Sequence, residues 1–418
     1  MSEKSLGTVT IFGLGYVGLN LSKLLTESNF KVIGVDTDEI KIAKMENCIE
    51  SLGFVDFPEL GFQISHNFVP LSSLPSDHLT NVYVICVPTP LTEKVPDLSG
   101  VISASTVISK RLRKGQLVLL ESTVAPGTTE NIVLNILSQY SALEVGKDFN
   151  LAFSPERVNP GDLKTSISTV PKIVGGVTID CTNAAQEFYS YIFEKIEVAT
   201  SSKVAEMTKL LENTFRLINI SFVNELQVFC SRAEIDIWEC IDLASSKPYG
   251  FLPFYPGAGA GGHCIPIDPV YLTHYSSTNY GFDLSLVERA LQINALTKEK
   301  IVGESLDLLG SGDLGYVGKK VLVIGVAYKR NVSDTRESPA LEIISGLKGH
   351  GIDVAYFDPL VPQLEVGEEL LMTEEDLLTG IEIADLIVLL QAHDGMDLSP
   401  LLQSSVKYLD PGNNLRSI

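Results

Sequence analysis

Thr8-Val-Thr-Ile-Phe-Gly13-Leu-Gly15-Tyr-Val-Gly18 is the stretch that decides the fold. Thr8 to Phe12 reads as a short apolar strand and Tyr16 to Thr26 as the helix after it. Gly13 allows the tight turn between them, Gly15 lets backbone approach a pyrophosphate, and Gly18 lets helix and strand pack closely. The helix N-terminus supplies N–H donors and the positive end of its dipole. A second strand, Lys31 to Val35, ends at Asp36, about 20 residues on. A carboxylate there accepts bonds from the ribose hydroxyls of NAD and repels a 2′-phosphate, so NAD is favoured over NADP. The bland alternative is a structural turn in some other α/β protein. Here the glycines come with strand, helix and acid together.

The same alternation continues outward. Val82–Val87, Leu117–Leu120 and Leu151–Phe153 read as further strands, and strands spaced by helices imply βαβ units and a parallel sheet. Between about Ser201 and Glu299 the pattern turns to long helices, beginning with Ser202 to Phe229. From about Lys319 the strands return at Val321–Gly325, Asp353–Phe357 and Ala384–Leu390. The expected organisation is α/β over residues 1–200, helical over 201–300 and α/β again over 301–418. This is a fold of two Rossmann-like doubly wound parallel sheets joined by a helical region.

Composition limits the partners. The 418 residues carry a formal net charge of −21 with 45% hydrophobic residues, an ordinary globular balance on an acidic surface. Such a surface repels nucleic acid and anionic membranes, so neither is an expected partner, and an anionic ligand must be met by a few well-placed cations. Cys48, Cys86, Cys181, Cys230, Cys240 and Cys264 are scattered without C-x-x-C spacing, which points to neither a disulfide framework nor a metal site. No apolar run approaches a membrane span of about 20 residues, and no signal-peptide pattern follows Met1. A cytoplasmic protein is the expectation.

Several stretches carry chemistry. Pro256-Gly-Ala-Gly-Ala-Gly-Gly-His-Cys264-Ile-Pro-Ile-Asp268 is too glycine-rich for a helix or strand, so it is a loop with close backbone approach to something. N–H groups in such a loop can stabilise a thiolate at Cys264 and cradle a ligand, with Asp268 near enough to serve the same site. The competing reading is a small buried cysteine as filler. Lys209, Asn213 and Arg216 fall on one face of the central helix, either as its solvated side or as a stripe buried against a polar ligand. Val87–Pro90, Glu121–Thr129 and Ser154–Val158 each follow a strand, at the carboxyl edge where doubly wound sheets bind ligands.

Together these residues resemble the nucleotide-sugar 6-dehydrogenase family, typified by UDP-glucose dehydrogenase. The matching stretches are GLGYVG (13–18), VPTP (87–90), ESTVAPGTT (121–129), SPERV (154–158), AEMTKLLENTFR (205–216), PGAGAGGHCIPIDP (256–269) and GVAYKRNVSDTRESPA (325–340). The resemblance implies a first domain for NAD, a last domain for UDP, and a homodimer built on the central helix. It implies two-step oxidation of a sugar C6 alcohol, with Cys264 forming a thiohemiacetal and then a thioester. Lys209 and Asn213 would stabilise the oxyanion, Asp268 would transfer protons, and Thr123 and Glu156 would order the hydrolytic water. NAD would be met by Gly13, Gly15, Tyr16, Val17, Gly18, Asp36, Lys41, Thr89, Thr123 and Arg336. The UDP-sugar would be met by Glu156, Arg157, Val158, Lys209, Asn213, Arg216, Lys329, Tyr255, Gly257, Gly259 and Gly261.

Arg157, Arg216 and the G-G-H-C-I-P core are similar to the branch acting on UDP-N-acetylhexosamines. Where UDP-N-acetylmannosamine enzymes carry His-Pro-Arg, this chain reads Lys247-Pro-Tyr-Gly-Phe-Leu-Pro-Phe-Tyr255, nearer to UDP-N-acetylglucosamine 6-dehydrogenases. Two positions depart from the family pattern: Pro160 stands where UDP-glucose enzymes have a second Glu, and Lys41 replaces the usual Arg. The rival readings are a two-electron hydroxyacid dehydrogenase, which needs neither Cys264 nor a third domain, and a non-catalytic nucleotide-sugar binding protein.

Overall fold

The computed structural model describes residues 6–47, 67–157, 167–311 and 315–417. The chain divides into two compact units, residues 1–212 with 270–281, and residues 213–269 with 282–418.

In the first unit, in chain order, the principal elements are β1 (Thr8–Phe12), α1 (Tyr16–Glu27), β2 (Lys31–Val35), α2 (Glu39–Asn47), β3 (Phe68–Leu71) and β4 (Val82–Ile85). There follow α3 (Ser99–Ser109), β5 (Leu117–Leu120), α4 (Leu134–Ser141), β6 (Asn150–Phe153), β7 (Lys172–Gly176), α5 (Ile179–Ser190) and β8 (Ile196–Val198). The eight strands form one sheet in the order β8-β7-β6-β5-β4-β1-β2-β3. Pairing is parallel from β3 through to β6, whereas β7 runs antiparallel to β6. The central strands are buried at nearly every position because both faces are covered. Ile11, Val84 and Leu119 enter one core, and Phe12, Tyr83, Ile85 and Leu120 enter the other.

The strand-by-strand expectations hold here to within two residues at each end. Register decides what this means for function. Phe12 pairs with Ile85, Ile85 with Leu120, and Leu120 with Phe153. The four strands therefore end level, and the segments beginning at Gly13, Cys86, Glu121 and Ser154 leave the sheet side by side.

The helical stretch comprises α6 (Ser202–Arg232), α7 (Ile237–Ser245), α8 (Asp268–Tyr280) and α9 (Ser285–Leu309). The second α/β region holds β9 (Lys320–Ile324), α10 (Pro339–Gly349), β10 (Asp353–Phe357), α11 (Leu377–Ile383), β11 (Leu386–Leu389), α12 (Ser399–Gln403) and β12 (Lys407–Leu409). Its four strands are parallel in the order β10-β9-β11-β12. Val321, Val323 and Val388 face one core and Leu322, Ile324 and Leu389 the other. The expected fold class, two Rossmann-like sheets and a helical region, is the one observed. Among the described residues, no helix is long and apolar enough to cross a membrane.

Candidate active site

The dinucleotide turn is built as its glycines require. Gly13 has φ +92°, and a Cβ on it would lie 2.6 Å from the Cys86 carbonyl oxygen. A Cβ on Gly18 would lie 1.9 Å from the Gly13 oxygen. The ideal Cβ of Gly15 instead has no other atom within 4 Å, and no side chain caps α1. That open backbone over a helix N-terminus fits a pyrophosphate. Asp36 Oδ2 accepts from the Leu14 N–H at 2.8 Å and Oδ1 from the Asp38 N–H at 3.1 Å, while Lys41 Nζ stands 3.6 Å from Oδ2. Asp36 thus braces the glycine turn, a task its position at the end of β2 does not announce. Tyr16 and Val17 open α1, packed against the core on its flank.

On the neighbouring segments, Thr89 Oγ1 donates to the Thr123 carbonyl at 2.9 Å, and Tyr271 OH donates to the Thr89 carbonyl at 2.9 Å. Lys209 Nζ donates to the Glu156 carbonyl at 2.6 Å, so the structure brings these two residues together. Arg157 spends its guanidinium on Glu212 Oε1 at 2.7 Å and the Pro171 carbonyl at 2.8 Å. Val158 and Pro160 lie outside the described residues.

Within the second unit, Asn213 Nδ2 donates to Asp268 Oδ2 at 2.5 Å, and both residues are buried. The Asp268 N–H donates to the Cys264 carbonyl at 2.8 Å, which places cysteine and aspartate one helical turn apart. Cys264 is half-buried, unlike the enclosed Cys86 and Cys181. The central helix departs from its expected surroundings: Leu211 and Phe215 are exposed, as is Arg216, whereas Asn213 is buried.

The glycine loop packs on the segment after β9. A Cβ on Gly261 would meet Pro339 Cδ at 2.7 Å and the Glu337 oxygen at 2.8 Å, and one on Gly262 would meet the Tyr328 ring at 2.7 Å. Residues 256–259 line a cavity of about 200 Å³ with Gly325, Tyr328, Ser338 and Gln391. Lys329 is half-buried beside Tyr328, while Arg336 is exposed and holds Asp334 through two nitrogens at 3.0 and 2.6 Å. Tyr255 is surface-exposed, its hydroxyl donating to Asp242 at 2.8 Å.

Two buried amides that pattern reading passes over fix this loop. Asn224 on α6 accepts from the Gly257 N–H at 2.9 Å, and Asn294 on α9 accepts from the Ala260 N–H at 2.7 Å and donates to the Ala260 carbonyl at 3.1 Å. A lone Asn within an apolar helix was the available signal, and it points to no partner by itself.

A dinucleotide turn at the edge of a parallel sheet, a second Rossmann-like sheet and a ligand-sized cavity beside a glycine loop define a nucleotide-dependent oxidoreductase. The chain belongs to the UDP-glucose/GDP-mannose dehydrogenase family, whose members are NAD-dependent. Its NAD binding domain matches residues 7–193, its central domain 203–296 and its UDP binding domain 322–406. The chain is 35% identical to a UDP-N-acetyl-D-glucosamine 6-dehydrogenase of Pseudomonas aeruginosa, over 84% of this chain and 83% of that one. It is 33% identical to a UDP-N-acetyl-D-mannosamine dehydrogenase of Methanococcus aeolicus, over 87% and 81%. The solved UDP-D-ManNAc dehydrogenase of Pyrococcus horikoshii superposes with a TM-score of 0.86 at 30% identity, covering 97% of this chain and 95% of that one.

Proposed function

We propose that the chain oxidises the C6 alcohol of a UDP-N-acetylhexosamine, UDP-N-acetylglucosamine foremost, to the uronic acid in the cytoplasm, supplying a precursor for surface polysaccharide. Residues 1–200 serve NAD, 201–300 catalysis and homodimer formation, and 301–418 the UDP moiety. The Asn213–Asp268 hydrogen bond, one helical turn from a half-buried Cys264, carries this reading. A thiol, a carboxylate and an amide thus share one short span of the fold, the groups this chemistry needs.

NAD, when bound at Gly13–Gly18, accepts a hydride in each of two oxidations. Asp268, directly or through a water, takes the proton of the C6 hydroxyl. Cys264 Sγ adds to the aldehyde carbon to give a thiohemiacetal, whose oxidation leaves a thioester. Water cleaves the C–S bond, releasing the acid and restoring the thiolate. Asn213 and Lys209 donate to the C6 oxyanion. Thr123 and Glu156 order the water. The segment Lys247–Tyr255, which lacks His-Pro-Arg, favours the glucosamine epimer over the mannosamine one.

Purified protein with NAD and each UDP-N-acetylhexosamine should form two NADH per sugar, fastest with UDP-N-acetylglucosamine. One NADH per sugar, or no turnover with any UDP-sugar, overturns the reading. Cys264→Ser should abolish acid formation and leave NAD binding intact, and acid formed at the wild-type rate would refute the covalent route.

A further inference from the structure

Lys172, the first residue of β7, is 3% exposed, in a place where an uncompensated ammonium is costly. Its Nζ lies 3.1 Å from Glu121 Oε1 and 3.6 Å from Glu156 Oε2. Tyr189, fully buried on α5, donates its hydroxyl to the same Glu121 oxygen. The rings of Tyr189 and Phe193 face the ammonium at 5.1 and 5.4 Å. Glu121 Oε2 has no hydrogen-bond partner among the described residues. Of the two carboxylates, Glu121 is sealed and Glu156 is not: their side chains are 0% and 17% exposed. The cation is thus enclosed by two aromatic rings and one sealed carboxylate, with the partly exposed Glu156 on its other side.

We propose that Lys172 is a positioning residue for the reaction: fixed from beneath by Glu121 and Tyr189, its ammonium holds the Glu156 carboxylate in place. This rests on the reading of Glu156 given above. Within the cluster the ammonium keeps its charge. Burial alone would lower the pKa of the ammonium, but Glu121 and Glu156 outweigh it and the net direction is up. Burial pushes the Glu121 carboxyl up against the pull of Lys172. Burial also holds the Cys86 thiol and the Tyr189 hydroxyl well above their usual values, which keeps both neutral. The Arg157 N–H donates to Glu156 Oε1 at 2.8 Å, its guanidinium is turned to Glu212 and Pro171, and Lys209 holds the Glu156 carbonyl.

The test is kcat and KM at fixed pH for full-length Lys172→Met, Lys172→Arg, Glu121→Gln/Lys172→Met and Glu156→Gln. Without the ammonium the Glu156 carboxylate loses its anchor, so kcat should fall about tenfold in Lys172→Met. KM for NAD and UDP-sugar should change less than about twofold, because uniform binding is untouched. Lys172→Arg should restore most of the kcat. The double variant, which removes both buried charges together, carries the same test should the single one fail to fold. An unchanged kcat in the Met variants, or a kcat that Arg lowers as far as Met does, overturns the proposal. A wild-type kcat in Glu156→Gln instead sinks the reading of Glu156 itself.

Discussion

Glu206 is wholly buried on α6, yet it is an acid with three donors to answer. Its Oε1 accepts from the Thr129 N–H at 2.8 Å and hydroxyl at 2.6 Å, and its Oε2 from the Gly127 N–H. It thereby ties the central helix to the Glu121–Thr129 segment that carries Thr123. Burial raises its pKa to about 7, against these donors, which favour the charged form. The sign follows directly. The folded chain holds a proton that the unfolded chain gives up above the ordinary carboxylate range. Stability from this group is complete below that range and is lost as pH rises through about 7. The loss is at most about 3 kcal/mol. Urea unfolding of wild type and Glu206→Gln at pH 5, 6, 7 and 8 should show the wild type losing ground to the variant as pH rises. Parallel curves would mean that Glu206 does not titrate in this window.

Along α6, Val204, Leu211, Phe215, Phe222 and Phe229 are 46, 57, 46, 55 and 62% exposed. Their spacings of seven, four, seven and seven residues put all five in one narrow line down the helix. A seam of three phenylalanines, a leucine and a valine in water is the physical basis for the proposed homodimer. Phe222→Glu/Phe229→Glu should give a monomer by light scattering where wild type gives a dimer, and a dimer of normal affinity would place the interface elsewhere. Such a seam is legible in sequence only once the helix is given, because its residues look like core. The central strands were legible for the opposite reason: buried on both faces, most of them are nearly unbroken apolar runs. The strand Phe68–Leu71 was not, since Pro70 argues against a strand, and it is tolerated because β3 lies at the sheet edge. The motif segments announced which loops leave the carboxyl edge of the first sheet side by side. Lys172, Asn224 and Asn294 stayed silent, because each acts through a partner brought near only by folding.

Both α/β regions repeat one device on different terms. Asp36 Oδ2 accepts from the N–H that follows Gly13, and Asp358 Oδ2 accepts at 2.8 Å from the N–H that follows Gly325. Gly325 has φ +74°, and a Cβ on it would sit 1.9 Å from the Gln391 carbonyl oxygen. Asp36 remains 17% exposed beside Lys41, whereas Asp358 is sealed at 0% against His393 Nε2 at 3.1 Å. The first turn therefore keeps its acid partly accessible, and the second has closed that position. The whole molecule sets the opposite problem, since its net charge of −21 repels a UDP-sugar at long range, while the cations proposed to hold it, Lys209, Arg216 and Lys329, would attract it only nearby. At about 10 mM salt the Debye length is ~30 Å and the repulsion reaches across the protein; at about 150 mM it is ~8 Å and does not. Raising salt over this range should therefore increase kcat/KM for the UDP-sugar by about twofold to fivefold, the reverse of an electrostatically steered enzyme. Steady-state rates at fixed pH and saturating NAD measure this, and a fall over the same range would mean that the local cations govern the approach from the outset.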